Sequence, residues 1–188
     1  KNIEYPVLTG LFMEFWGWLG GGRAGYYWLN SAALILATIG ATFFIYKAAN
    51  EEERRHLWRY WIFAPSMLIF AVYNWDMLAI LFSVTAFYFM RRGKDRWAAV
   101  FIALGFSAKF FPVIYLAPIL IQPKPIIDKI KTLGAFLGAA AVVNAPFFIL
   151  NPAGWFYFFT FNSTRNSNPD SIWTVARFLF GEIGVPTI

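Results

Sequence analysis

The chain has 188 residues, 59% of them hydrophobic and 21% aromatic, with only 14% charged, where a soluble domain carries about 25%. It has no cysteine, which excludes disulfides and thiol chemistry, and a single histidine, His56, which excludes a histidine-rich metal site. The net charge of +6 does not mark a nucleic-acid binder, because the basic residues flank apolar runs instead of forming a stripe interleaved with aromatics.

The charges gather in short clusters between long apolar runs, the pattern of an all-α, polytopic membrane protein. Residues 5–19 (YPVLTGLFMEFWGWL) are short for a crossing and are interrupted by Glu14. They predict an interfacial helix on the outer surface, with Pro6 at its first turn. Residues 26–46 are the clearest span, about the 20 residues a bilayer core needs. A charged loop follows at 47–59, then spans near 57–73 and 76–90, parted by the turn Asn74-Trp75-Asp76. After RRGKDR comes the apolar run 97–121, with Lys109 and Pro112 inside it. The basic segment 122–131 precedes a span at 132–150. Residues 151–171 read as a loop, aromatic and then polar, before a last apolar segment from Ile172. The ends, KNIEYP and GVPTI, read as cut, so a single transmembrane domain belonging to a longer protein is expected.

Charge orients these spans. Lys47, Arg54, Arg55 and Arg59, then Arg91, Arg92, Lys94 and Arg96, then Lys124, Lys129 and Lys131 occupy three loops. The positive-inside rule places all three in the cytoplasm. The run 97–121 then starts and ends on one side, so it predicts a re-entrant hairpin of two short helices broken near Lys109 and Pro112. Non-helical backbone at that depth survives only when buried in protein or lining a wet cavity. The alternative is one long kinked helix that crosses and leaves 122–131 outside.

The same topology collects Glu4, Tyr5, Asn74, Asp76, Lys109, Asn162, Arg165, Asp170 and Ser171 at the outer face. A lysine at the centre of a membrane span costs about 2.5–3.5 kcal/mol on insertion scales, and intramembrane charges mark substrate paths. Lys109 is therefore the first candidate for binding a lipid phosphate; the competing explanation is a snorkelling side chain. Arg165, just ahead of the helix start Asn168-Pro169-Asp170-Ser171, is a second phosphate candidate. Asn74 and Asp76 suit a turn and a helix start, and also the orientation of a sugar hydroxyl or of the lysine. Glu4 is a weak candidate for a base. Asp76 and Asp170 are too few and too dispersed to specify a metal.

EYPVLTG before a short helix, NWD opening a span, SAKFFP in a broken apolar run and RNSNPDSIW in an outer loop together resemble glycosyltransferase family 87. The family belongs to the GT-C superfamily of polytopic glycosyltransferases. The resemblance implies a GT-C-like helical bundle that transfers mannose or a similar hexose from a polyprenyl-phosphate sugar, with inversion. The acceptor would be a glycolipid or polysaccharide at the extracytoplasmic face of the cell membrane. It implies no cofactor. For that chemistry the outer-face set offers Lys109 and Arg165 for the donor phosphate, and Tyr5, Asn74, Asp76, Asn162, Asp170 and Ser171 for acceptor or substrate contacts. The family's general-base aspartate precedes the EYP-like motif and is expected upstream of Lys1, after a first transmembrane helix. A transporter or flippase of a lipid-linked substrate, or a non-catalytic membrane subunit, are the rival expectations.

Overall fold

The computed structural model describes residues 4–164 and 172–180, and all regular secondary structure among them is helical. Helix α1 spans Val7–Gly20 and turns through Gly21, whose φ of 61° suits a residue without a Cβ, into α2, Arg23–Ala48. Pro6 is the N-cap of α1 and not a residue of its first turn as expected. Nor does α1 merely lie on a surface: Thr9 and Gly10 are buried against the rest of the bundle.

Two helices have the length and apolarity to cross a bilayer, α2 and α8, Ile126–Leu150. Their 26 and 25 residues rise about 38 Å, against a hydrocarbon core of about 30 Å. Both are little buried along their apolar windows, unlike the core helix of a soluble domain. Most of the apolar surface of α8 is bare, with Val142 77%, Ile149 74% and Leu150 83% exposed. Apolar surface on that scale needs a lipid or protein neighbour.

The remaining expected spans are shorter or broken. The loop 47–59 contains α3, Glu51–Leu57, started by a capping box in which Asn50 and Glu53 exchange backbone and side-chain bonds. The Asn50 backbone N–H, with Arg91 nearby, holds the Glu53 carboxyl below its usual range. The span expected at 57–73 is not one helix. A π-helical turn, Trp58–Ile62, runs into α4, Pro65–Phe70. Pro65 has no N–H for the preceding turn and holds Ala64 extended, so the helix stops. Helix α5, Asp76–Arg91, has 16 residues and rises about 24 Å, short of a full crossing. The expected loop 151–171 is largely α9, Pro152–Thr164. Asn151 caps it, accepting from the Gly154 N–H at 2.9 Å, and Pro152 takes the first position, where a missing N–H is harmless. Helix α10 covers Ile172–Phe180.

The run 97–121 folds as a hairpin. Helix α6, Asp95–Ala108, stops at Lys109, and a 3₁₀ turn, Phe111–Tyr115, leads into the short α7, Leu116–Leu120. Leu116 and Ile119 return against Ala98, Ala99, Ile102 and Ala103, with Phe136 of α8 closing the cluster. These small residues let the backbones approach closely, as in membrane packing generally. At the open end Lys124 pairs with Asp95, so the chain ends the run beside where it began. A single kinked helix would separate these two residues by its whole length.

Gly105 makes the tight end possible. A Cβ there would lie 2.9 Å from the Pro112 ring and 3.4 Å from Phe82. Gly105→Leu is expected to force the limbs apart and cost about 1–3 kcal/mol, read as a lower unfolding temperature in detergent. An unshifted transition would show that the hairpin tip tolerates the side chain.

A candidate cationic cleft at the hairpin tip

The break follows from covalent chemistry. In a continuous helix the Ala108 carbonyl would accept from residue 112, but Pro112 has no N–H. The last helical bond is Lys109 N–H to Gly105 O, at 2.7 Å. The Ala108 carbonyl instead accepts the Thr9 hydroxyl at 2.8 Å, a buried bond between α1 and α6. Lys109 itself is extended, with φ −151° and ψ 145°. Its ammonium forms an ion pair with Asp76 Oδ1 at the start of α5. The side chains are 28% and 37% exposed, so the pair is only partly desolvated. A pair in that position has a modest net effect on stability. Asp76 also suits the first turn of α5, where a negative charge meets the helix dipole.

A cleft of about 640 Å³ opens beside Lys109. Glu4, Tyr5, Asn74, Lys109 and Asn162 line it, together with Tyr73, Trp75 and Phe158. With Asp76 on the lysine, six sequence candidates thus converge from four parts of the chain. Arg165, Asp170 and Ser171 lie outside the described residues. Glu4 is exposed. Two of the amides already serve the fold: Asn74 Oδ1 accepts the Trp75 backbone N–H at 2.8 Å, and Asn162 donates to Phe158 O at 2.7 Å.

A second cavity, about 700 Å³, adjoins the cleft and shares Tyr5, Pro6, Phe110 and Phe158 with it. Its walls are mainly apolar and come from α1, α6, α8 and α9. Phe110 meets Phe158 edge-on at 5.0 Å and stacks on Phe159 at 5.5 Å. Polar groups interrupt the wall at Glu14, Ser107, Asn144 and Asn151. Asn144 donates to Ser107 Oγ and Ala140 O, both at 2.9 Å, and accepts from Trp155 Nε1 at 3.2 Å. These bonds tie α6, α8 and α9 together around the cavity. Sequence reasoning missed this network and also Asn30, which accepts from Trp75 Nε1 at 2.9 Å. The available signal was a lone asparagine in each long apolar run.

Bare apolar flanks and two helices long and apolar enough to cross a bilayer point to membrane association. The chain matches the family model of glycosyltransferase family 87 over residues 3–184, nearly its whole length. It belongs to glycosyltransferase family 87. Searches of curated proteins and of solved structures returned no significant match.

Thr9→Val would leave the Ala108 carbonyl buried without a donor, a loss of about 1–3 kcal/mol. Thr9→Ser keeps the hydroxyl and should unfold close to the native temperature. If valine and serine variants melt alike, this bond does not hold the break.

Proposed function

We propose that the protein transfers a hexose, mannose or a close relative, from a polyprenyl-phosphate sugar to a glycolipid or polysaccharide at the extracytoplasmic face of the membrane. The observation that carries this reading is the Lys109–Asp76 pair in a polar cleft that shares walls with an apolar cavity. A polyprenyl-phosphate sugar has the same two-part character: an anionic, hydroxylated head on a long apolar chain. The cleft suits the head and the cavity suits the first isoprenoid units. Family membership supports glycosyl transfer over transport of a lipid-linked substrate.

In this reading Lys109 holds the donor phosphate and stabilises the charge that develops as phosphate leaves, where a positioned cation is most effective. Asp76 keeps the ammonium in place. Arg165 is the second phosphate ligand, and Tyr5, Asn74, Asn162, Asp170 and Ser171 contact the substrates. The acceptor hydroxyl loses its proton to a general base. The family resemblance puts that base upstream of Lys1, with Glu4 as the weak candidate within the chain. The three basic segments face the cytoplasm and the cleft faces outward.

The decisive assay incubates the full-length protein with radiolabelled polyprenyl-phosphate mannose and candidate glycolipids. Transfer is expected, and Lys109→Met should reduce it about a hundredfold. Absence of transfer by pure, folded protein sinks the enzymatic reading. For the orientation, a cysteine introduced at Ile126 should be labelled from the cytoplasmic side. Labelling from outside only overturns the assigned topology.

A further inference from the structure

We infer that Asn30 is a positioning residue for the cleft: acting through Trp75, it fixes the Asp76–Lys109 pair, which rests on the donor-phosphate reading of that pair. Asn30 lies on the buried stripe of α2 that continues through Leu34, Ala37 and Ala41. An amide on such a stripe is unfavourable unless it is hydrogen-bonded. Its Oδ1 accepts the indole N–H of Trp75 at 2.9 Å.

Trp75 is the N-cap of α5 and immediately precedes Asp76. No side chain caps that helix, so the local device that usually fixes a helix start is missing. The entry of α5 is held from α2 instead. Tyr5 meets the indole edge-on at 5.0 Å, and the ring packs against Leu34, Ala37 and Met77. The Trp75 backbone N–H is occupied by Asn74. Rotating the indole would therefore break the Asn30 bond and the packing together. Asp76 is one peptide further on, and the Lys109 ammonium, arriving from the hairpin, takes its position from Asp76. The Asn30 bond, with Tyr26 of α2 also bonded to the indole, thus helps set where a cation from a third element stands. A catalytic or binding charge displaced by a fraction of its contact distance loses much of its effect.

The competing explanation is that the Asn30–Trp75 bond only holds two helices together. Binding of radiolabelled polyprenyl phosphate to the full-length protein in detergent separates the two. Asn30→Leu removes the acceptor, and Trp75→Phe removes the donor while keeping an aromatic ring. Each is expected to weaken binding about tenfold, and the double variant should bind no more weakly than either alone. In a Lys109→Met background, Asn30→Leu should have no further effect, because its influence runs through the lysine. Native affinity in Asn30→Leu, or an equal further loss in the Lys109→Met background, overturns the inference. If Asn30→Leu does not fold, Trp75→Phe is put through the same comparison. If Lys109→Met alone binds like the native protein, the donor-phosphate reading itself falls and this inference falls with it; a loss in Lys109→Met without one in Asn30→Leu removes only the inference.

Discussion

The arrangement depends on one missing hydrogen. Pro112 cannot donate to the Ala108 carbonyl, and here, unlike at Pro146 inside α8, the helix ends and the buried carbonyl takes another donor. Thr9 supplies it from α1, which pins that helix beside the break. The backbone then leaves the helical path at Lys109, and the returning limb packs along α6 because Gly105 leaves room for the Pro112 ring. Break, hairpin, docking of α1 and placement of the lysine are thus one structural event.

The two cavities follow from the same event. The segment around Phe110 stands between a polar cleft and an apolar chamber because the break puts Lys109 on one side and aromatic rings on the other. The chamber is kept open by helices that are tied at their polar groups: Asn144 links α8 to Ser107 on α6 and to Trp155 on α9. Satisfied amides in an apolar wall give orientation without leaving an orphan polar group. In the proposed reading the apolar part of the donor lipid would meet a preorganised wall, while its head would meet groups with solvent access.

Much of this was legible in the sequence, for identifiable reasons. The hairpin was favoured over a single kinked helix by counting lysines and arginines on the flanking segments, and Pro112 marked where it breaks. The convergence of Glu4, Tyr5, Asn74, Asp76, Lys109 and Asn162 followed from topology alone. The failures have physical causes too. Residues 57–73 have the hydrophobicity of a span, but Pro65 and the π turn at Trp58–Ile62 decide their shape, and a hydrophobicity window weighs neither. The helix Pro152–Thr164 was hidden because its aromatic residues carry no clear helical periodicity, although Asn151-Pro152 is a start signal of the usual kind. Asn30 and Asn144 were passed over because a single amide barely changes the apolar character of a long run. Their roles come from partners 45 and 37 residues away, Trp75 and Ser107, which only the fold brings near.

The ion pair sets a limit on how the cleft attracts an anion. Lys109 and Asp76 together carry no net charge, so the pair by itself gives little long-range attraction. An ammonium has three N–H donors and no acceptor. Asp76 fixes the direction of the group and leaves donors for a phosphate oxygen. The pair is therefore better suited to orienting a phosphate than to drawing it in. Attraction calls for a second cation near the mouth of the cleft. In the proposed reading Arg165 supplies it, because a planar guanidinium grips phosphate through two parallel bonds where lysine acts as a point charge. That reading implies a division of labour, in which the arginine would capture the phosphate and the paired lysine would hold it still while the sugar leaves.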